Sequence, residues 1–104
     1  MHPAPLHGST GVATPNAGRY LQQLCKHFAH ARPSVFTEAS GEIAFTAGTC
    51  RLVADAETLT ITLSTADAVQ LAELRGVIER HLVRFAFREP LQIDWQALST
   101  LEYG

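Results

Sequence analysis

Thr58-Leu59-Thr60-Ile61-Thr62-Leu63 alternates threonine with an aliphatic residue at every step. No other feature constrains the fold of this chain as tightly. Successive side chains on a strand point to opposite faces, so Leu59, Ile61 and Leu63 share one face and the threonines the other. Such a strand belongs in a sheet with one buried and one wet face, which antiparallel sheets provide and doubly covered parallel sheets do not.

Three strand-like segments lead up to it: Ser34 to Glu38, Glu42 to Thr46 and Thr49 to Asp55. The turns fall at Ser40-Gly41, Ala47-Gly48 and Ala56-Glu57. Short loops between alternating segments give an antiparallel meander. Thr10 to Thr14, β-branched and small, adds a short first edge strand.

Two segments of helical period flank the meander. Thr14-Pro15 reads as a helix start, with Thr at the N-cap and Pro at the first helical position. Ala17, Leu21, Leu24, Cys25 and Phe28 then share one face, and the helix runs to about Ala31, because Pro33 disfavours helical geometry at Arg32. Ser64 or Thr65 caps the second helix, with Asp67 near its positive end. Its stripe is Leu71, Leu74, Ile78, His81, Leu82 and Phe85, and Pro90 ends it. Leu91, Ile93 and Trp95 alternate with Gln92, Asp94 and Gln96 as a last strand, and Ala97 to Gly104 adds a helical turn.

The sum, (β)αββββαβ, is an α+β two-layer sandwich: a mainly antiparallel sheet of five or six strands with two amphipathic helices on one face. Residues 10–104 make a single domain, and residues 1–9, containing His2 and His7, a flexible leader. Met1 to Ser9 has neither Lys nor Arg nor an apolar core, so no secretory signal is expected and cytoplasmic residence is. In that compartment the two cysteines are expected as thiols. No apolar run has the length of a membrane span, so no membrane partner is expected. The net charge of −2 and pI of about 6.2 speak against a protein that neutralises nucleic-acid phosphates.

The densest cluster of chemistry-bearing residues is Cys25-Lys26-His27-Phe28-Ala29-His30. On a regular helix Cys25 and His27 stand about 200° apart, so they cannot face one ion. Cys25 turns to the core, while His27 and His30 lie on the polar side. The better constellation is non-local: Cys25, Cys50 (in phase with Leu52 and Ala54) and His81. Converging, these would make a Cys₂His sphere for a transition metal such as zinc or iron, or a thiolate activated by a histidine. The plainer reading is favoured, because free cysteine is among the most buried residue types. On it, no cofactor is expected.

Arg80, Arg84 and Arg88 recur every four residues on the side of the second helix away from the core. Like charges at that spacing oppose the helix by about 0.2–0.5 kcal/mol per pair. Glu73, Glu89, an anionic ligand or a protein partner would offset them. Gly-rich phosphate loops, nucleophile elbows and CxxC or HExxH motifs are absent from the sequence. Glu38, Glu42, Asp55 and Glu57 fall at turns, so no acid/base pair is expected and no catalytic residue is assigned.

Three stretches together carry a family resemblance: Tyr20 to His30, Gly48 to Leu52, and His81 to Arg88. They resemble the bacterial family catalogued as domain of unknown function 2218, over roughly Thr10 to Trp95. The family has no established activity. The resemblance implies an association with siderophore-interacting, flavin-dependent ferric reductases, and so with iron or siderophore metabolism. The family pattern includes the Cys, His and Arg positions singled out above.

The leading expectation is a binding or accessory module rather than an enzyme. It would use His27, His30, Arg80, Arg84 and Arg88 to meet an anionic ligand or a siderophore-interacting flavin reductase. A metal or thiol-redox protein on Cys25, Cys50 and His81 is the second. A homodimer joined through an edge strand or the Thr-rich sheet face is the third.

Overall fold

The computed structural model describes residues 5–99. They form β1 (Leu6–Ala13), α1 (Ala17–Ala29), β2 (Ser34–Phe36), β3 (Ser40–Ala44), β4 (Gly48–Ala54), β5 (Thr58–Thr65), α2 (Ala68–Phe85) and β6 (Gln96–Ser99). All strand pairs are antiparallel, in the order β2-β3-β4-β5-β1-β6. The expected α+β two-layer sandwich is what the chain builds. The alternation in the meander decides which face the helices cover. Ile43, Cys50, Leu52, Leu59, Ile61 and Leu63 point at them and are fully buried. α1 lies over β2 to β5, and α2 over β5, β1 and β4. Leu21 and Leu24 of α1 meet Ile78 and Leu82 of α2 in the same buried cluster.

Several boundaries differ from the sequence expectation. β1 begins at Leu6, so His7, Gly8 and Ser9 belong to the sheet rather than to a leader. It also lies between β5 and β6, not at an edge. Its inward positions are Leu6, Gly8, Thr10 and Val12, too small and polar to register as an apolar stripe. Gly8 is small because Leu71 covers it: a Cβ there would stand 3.2 Å from Leu71 Cδ1.

α1 starts at Ala17, with Asn16 at its N-cap. Thr14 is instead tied to the sheet, its N–H donating to Glu57 O (2.9 Å) and its Oγ1 accepting from the Asn16 N–H (3.1 Å). The cap of α2 is Asp67, whose carboxylate accepts from the Gln70 N–H at 2.8 Å. Thr65 Oγ1 donates to the Asp67 carbonyl (2.9 Å). α2 ends at Phe85, five residues before Pro90. Ser40 and Gly41 lie inside β3 rather than in a turn. The turn is at Thr37 to Ala39, closed by Thr37 Oγ1, which accepts from the N–H groups of Ala39 and Ser40.

Leu91 to Trp95 is irregular rather than a strand. Its alternation still reports burial, since Leu91, Ile93 and Trp95 pack against the core. The last strand starts at Gln96 and pairs with β1, so Ala97 to Ser99 are strand and not helical; the rest of the expected turn lies outside the described residues.

Candidate functional site

α1 and α2 run antiparallel, so the C-terminal half of α1 meets the middle of α2. Tyr20 at the start of α1 reaches Glu89 beyond the end of α2 (Oη to Oε1, 2.7 Å). One and two turns further along α1, Leu24 and His27 occupy the same flank. The His27 ring comes to 4.8 Å of His81, 4.9 Å of Phe28 and 5.8 Å of Phe85, between centroids. Phe28 stands 4.8 Å from His81 and 5.0 Å from Phe45, which follows β3. Two imidazoles and three phenyl rings thus form one cluster joining both helices to the β3–β4 turn. Its edge-to-face and tilted geometries are those aromatic rings prefer.

His81 is held by its own helix: Nδ1 lies 2.7 Å from the Val77 carbonyl. A carbonyl only accepts, so Nδ1 carries the proton and Nε2 of the neutral ring remains an acceptor. Burial lowers the His27 pKa below its usual 6.5, and the nearby His81, His30 and Arg84 lower it further. His27 is therefore neutral at pH 7.

Beside this cluster opens a cleft of about 370 Å³. Its walls are Phe28, Phe45, Leu74 and Val77, with His27, Arg32 and Glu73 supplying polar edges. Arg32 is held at the β3–β4 turn by a hydrogen bond from Nη1 to Thr46 Oγ1 (2.9 Å). The volume and the mostly apolar wall with a few polar groups match an ordinary small-ligand pocket.

The structure divides the sequence-derived candidates into three groups. Cys25 and Cys50 are free thiols, both fully buried. Burial pushes up the Cys50 thiol, and Cys25 adds to the effect; the Cys25 thiol is raised by burial as well. Neither is a thiolate at neutral pH. His81 stands apart from them, half-buried in the aromatic cluster. Among the described residues no three His, Cys, Asp or Glu side chains are grouped to hold a metal ion, so Cys25, Cys50 and His81 are not assembled into a ligand sphere.

His27 and His30 are both exposed; His30 caps the C-terminus of α1, and the His27 ring lies against His81 at the seam between the helices. Arg80, Arg84 and Arg88 are exposed, and Arg88 lies over the Phe87 ring at 5.3 Å. Arg84 sits close enough to His27 to disfavour its charged form. The two carboxylates expected to offset these arginines are placed elsewhere. Glu89 Oε1 accepts from Tyr20, Thr14 (3.0 Å) and Asn16 (3.1 Å), and Glu73 borders the cleft. Among the described residues the one ion pair is Arg51–Glu42, so the basic ridge has no carboxylate partner there.

The sequence reading missed the cleft and three of its residues, Phe45, Arg32 and Val77. It also missed that His27, though exposed, lies against the His81 ring. The signal for His27 was present: it follows Leu24 by three residues and Tyr20 by seven, spacings that put all three on one helix flank.

These features define a helix-covered antiparallel sheet domain with an aromatic, partly polar cleft at the helix–helix seam. The chain belongs to the family described as an uncharacterized protein conserved in bacteria, DUF2218, whose model matches residues 9–96. It is similar to the protein of the NMR structure of PA4090 from Pseudomonas aeruginosa, at 34% identity and a TM-score of 0.75. That match covers 88% of this chain and 95% of the other. No curated protein matches the chain. No helix of the described residues is long and apolar enough to cross a membrane.

Proposed function

We propose that the protein is a small-molecule binding module whose ligand is an aromatic acid, or the aromatic arm of a larger anion. The ligand's ring enters the cleft between α1, α2 and the β3–β4 turn. The observation that carries this reading is the position of His27. Its ring borders the apolar cleft and also stands within electrostatic reach of Arg84, on the unpaired basic ridge. A ring stacked on Phe28 and Phe45 would point a carboxylate or phenolate past His27 toward that ridge. The N–H of neutral His27 and the Arg84 guanidinium suit such an anion.

The family resemblance directs the choice of probe. Catechol carboxylates are the building blocks of many siderophores, and a ferric catecholate would place one arm in the cleft while its iron centre stays outside. A flavin-dependent ferric reductase is then the protein that would act on the exposed metal. The cleft is large enough for one ring and its substituents, and too small for a whole ferric complex.

Titration calorimetry with 2,3-dihydroxybenzoate and its ferric complex tests the reading. At about 0.4 kcal/mol per heavy atom the free acid should bind with a Kd of roughly 6 × 10⁻⁴ M. Phe45→Ser and Arg84→Ala should each weaken it about tenfold, the first through lost stacking and the second through lost charge. No heat with either probe at millimolar concentration, or binding unchanged in both variants, would overturn it.

A further inference from the structure

The sheet face turned away from the helices is built differently from the rest of the surface. Its middle row crosses five strands as Val35, Glu42, Arg51, Thr62 and Ser9. The neighbouring rows contribute Val53, Thr60, Thr49 and Ser64, with His7 beside Ser64 at the smaller of two hollows in this face. In this field of small and β-branched residues Glu42 and Arg51 are one opposite-charge pair, 3.6 Å apart, with side chains 47% and 67% exposed. They form a ridge between two hollows of about 390 and 220 Å³, both of which they border. The larger hollow extends to Val35 and Val53, which are 72% and 50% exposed.

We propose that this face docks on a second copy of the chain, as a two-fold sheet-to-sheet dimer in which Arg51 of each copy pairs with Glu42 of the other. A two-fold interface must be complementary to itself. A patch of one charge sign repels its own copy, whereas adjacent opposite charges do not. An axis passing between β3 and β4 sets each guanidinium over the other copy's carboxylate. The small residues around the pair permit the roughly 10 Å approach of packed sheets.

The available area sets the affinity. Five strands about 4.8 Å apart, three to eight residues long, offer roughly 490 Å² per copy, a total just under the lower limit for specific interfaces. The dimer is therefore weak and forms as concentration rises. It lies on the opposite face of the sheet from the cleft, so it stands or fails independently of ligand binding.

Sedimentation velocity from about 10 µM to about 1 mM tests it. The mean mass should climb from the 11.3 kDa of one chain toward twice that value. Arg51→Glu alone and Glu42→Arg alone should each weaken association at least about tenfold, since each places like charges across the axis. Mixed one to one, the two variants should associate again, because one presents two carboxylates and the other two guanidiniums. Circular dichroism melting confirms that each variant is folded. A wild-type protein that stays monomeric at about 1 mM would overturn the proposal. So would a single variant that dimerises as well as wild type, or folded variants whose mixture does not associate.

Discussion

The imidazoles of His27 on α1 and His81 on α2 stand 4.8 Å apart, and this contact joins the two helices where the cleft opens. Because burial, His81, His30 and Arg84 all disfavour a charge on His27, its folded pKa lies below 6.5. A group depressed in the folded state takes up its proton more readily when unfolded, so protonation favours unfolding. Its effect on stability is absent above pH 6.5 and destabilises as the pH falls below that value. The His27 ring proton should titrate by NMR with a midpoint below 6.5. In His27→Gln the melting temperature should fall less between pH 7 and the His27 midpoint. A midpoint at or above 6.5 would contradict the cluster's geometry.

The hydroxyl of Tyr20, almost wholly buried, donates to Glu89 at 2.7 Å and fastens the start of α1 to the segment after α2. Burial, together with the hydrogen bond to Glu89, raises the phenol's pKa, so the proton stays on Tyr20. Hydrogen bonds from Tyr20, Thr14 and Asn16 hold the Glu89 carboxyl below its usual pKa. Tyr20→Phe should destabilise by about 1 kcal/mol in urea unfolding. Glu89→Ala should cost more than Tyr20→Phe, because it also leaves the buried Tyr20 hydroxyl without its acceptor. Equal effects from the two variants would mean that Glu89 is not the shared acceptor.

Gly41 lies on the inner face of β3, against α1. A Cβ there would stand 2.7 Å from Cys25 Sγ and 3.2 Å from Phe36 Cβ. Gly41→Ala should therefore destabilise by about 1–3 kcal/mol through overpacking. Removing the sulfur with Cys25→Ala should relieve part of that cost, so the double variant should be less destabilised than the sum of the singles. Strict additivity would place Cys25 elsewhere.

Thr10 is inward on β1, and its hydroxyl is buried with no hydrogen-bond partner among the described residues. Exchanging that hydroxyl for a methyl group removes a desolvated polar atom and keeps the shape. Thr10→Val should raise stability by about 1 kcal/mol. A loss of similar size would mean that the hydroxyl does have a partner.

The sequence was most readable where physical period and burial coincide. The Thr58 to Leu63 alternation and the Leu71 to Leu82 stripe decided the layers, because each element exposes a single apolar face. β1 was harder to read, since Gly8 and Thr10 face a core that Leu71 fills from the other side. Leu91 to Trp95 showed that alternation records burial but not strand pairing: these residues pack on the core without joining the sheet. The cleft was hidden for a different reason. His27, Phe45, Arg32 and Val77 come from separate elements, and their meeting depends on the helix–helix crossing, which no local pattern contains. Cys25 and Cys50 were legible as core and His81 as part of the α2 stripe, but that His81 does not join the two cysteines was not.

Binding of an aromatic anion in the cleft between α1, α2 and the β3–β4 turn, as proposed, is open to direct observation. The most direct test is to follow the ¹H–¹⁵N spectrum and the histidine ring signals while adding 2,3-dihydroxybenzoate. Saturable shifts should be confined to His27, Phe28, Phe45, Val77 and His81 and their neighbours, with Glu42 and Arg51 on the opposite face unmoved. Shifts centred on the outer sheet face, or none at millimolar ligand, would contradict it.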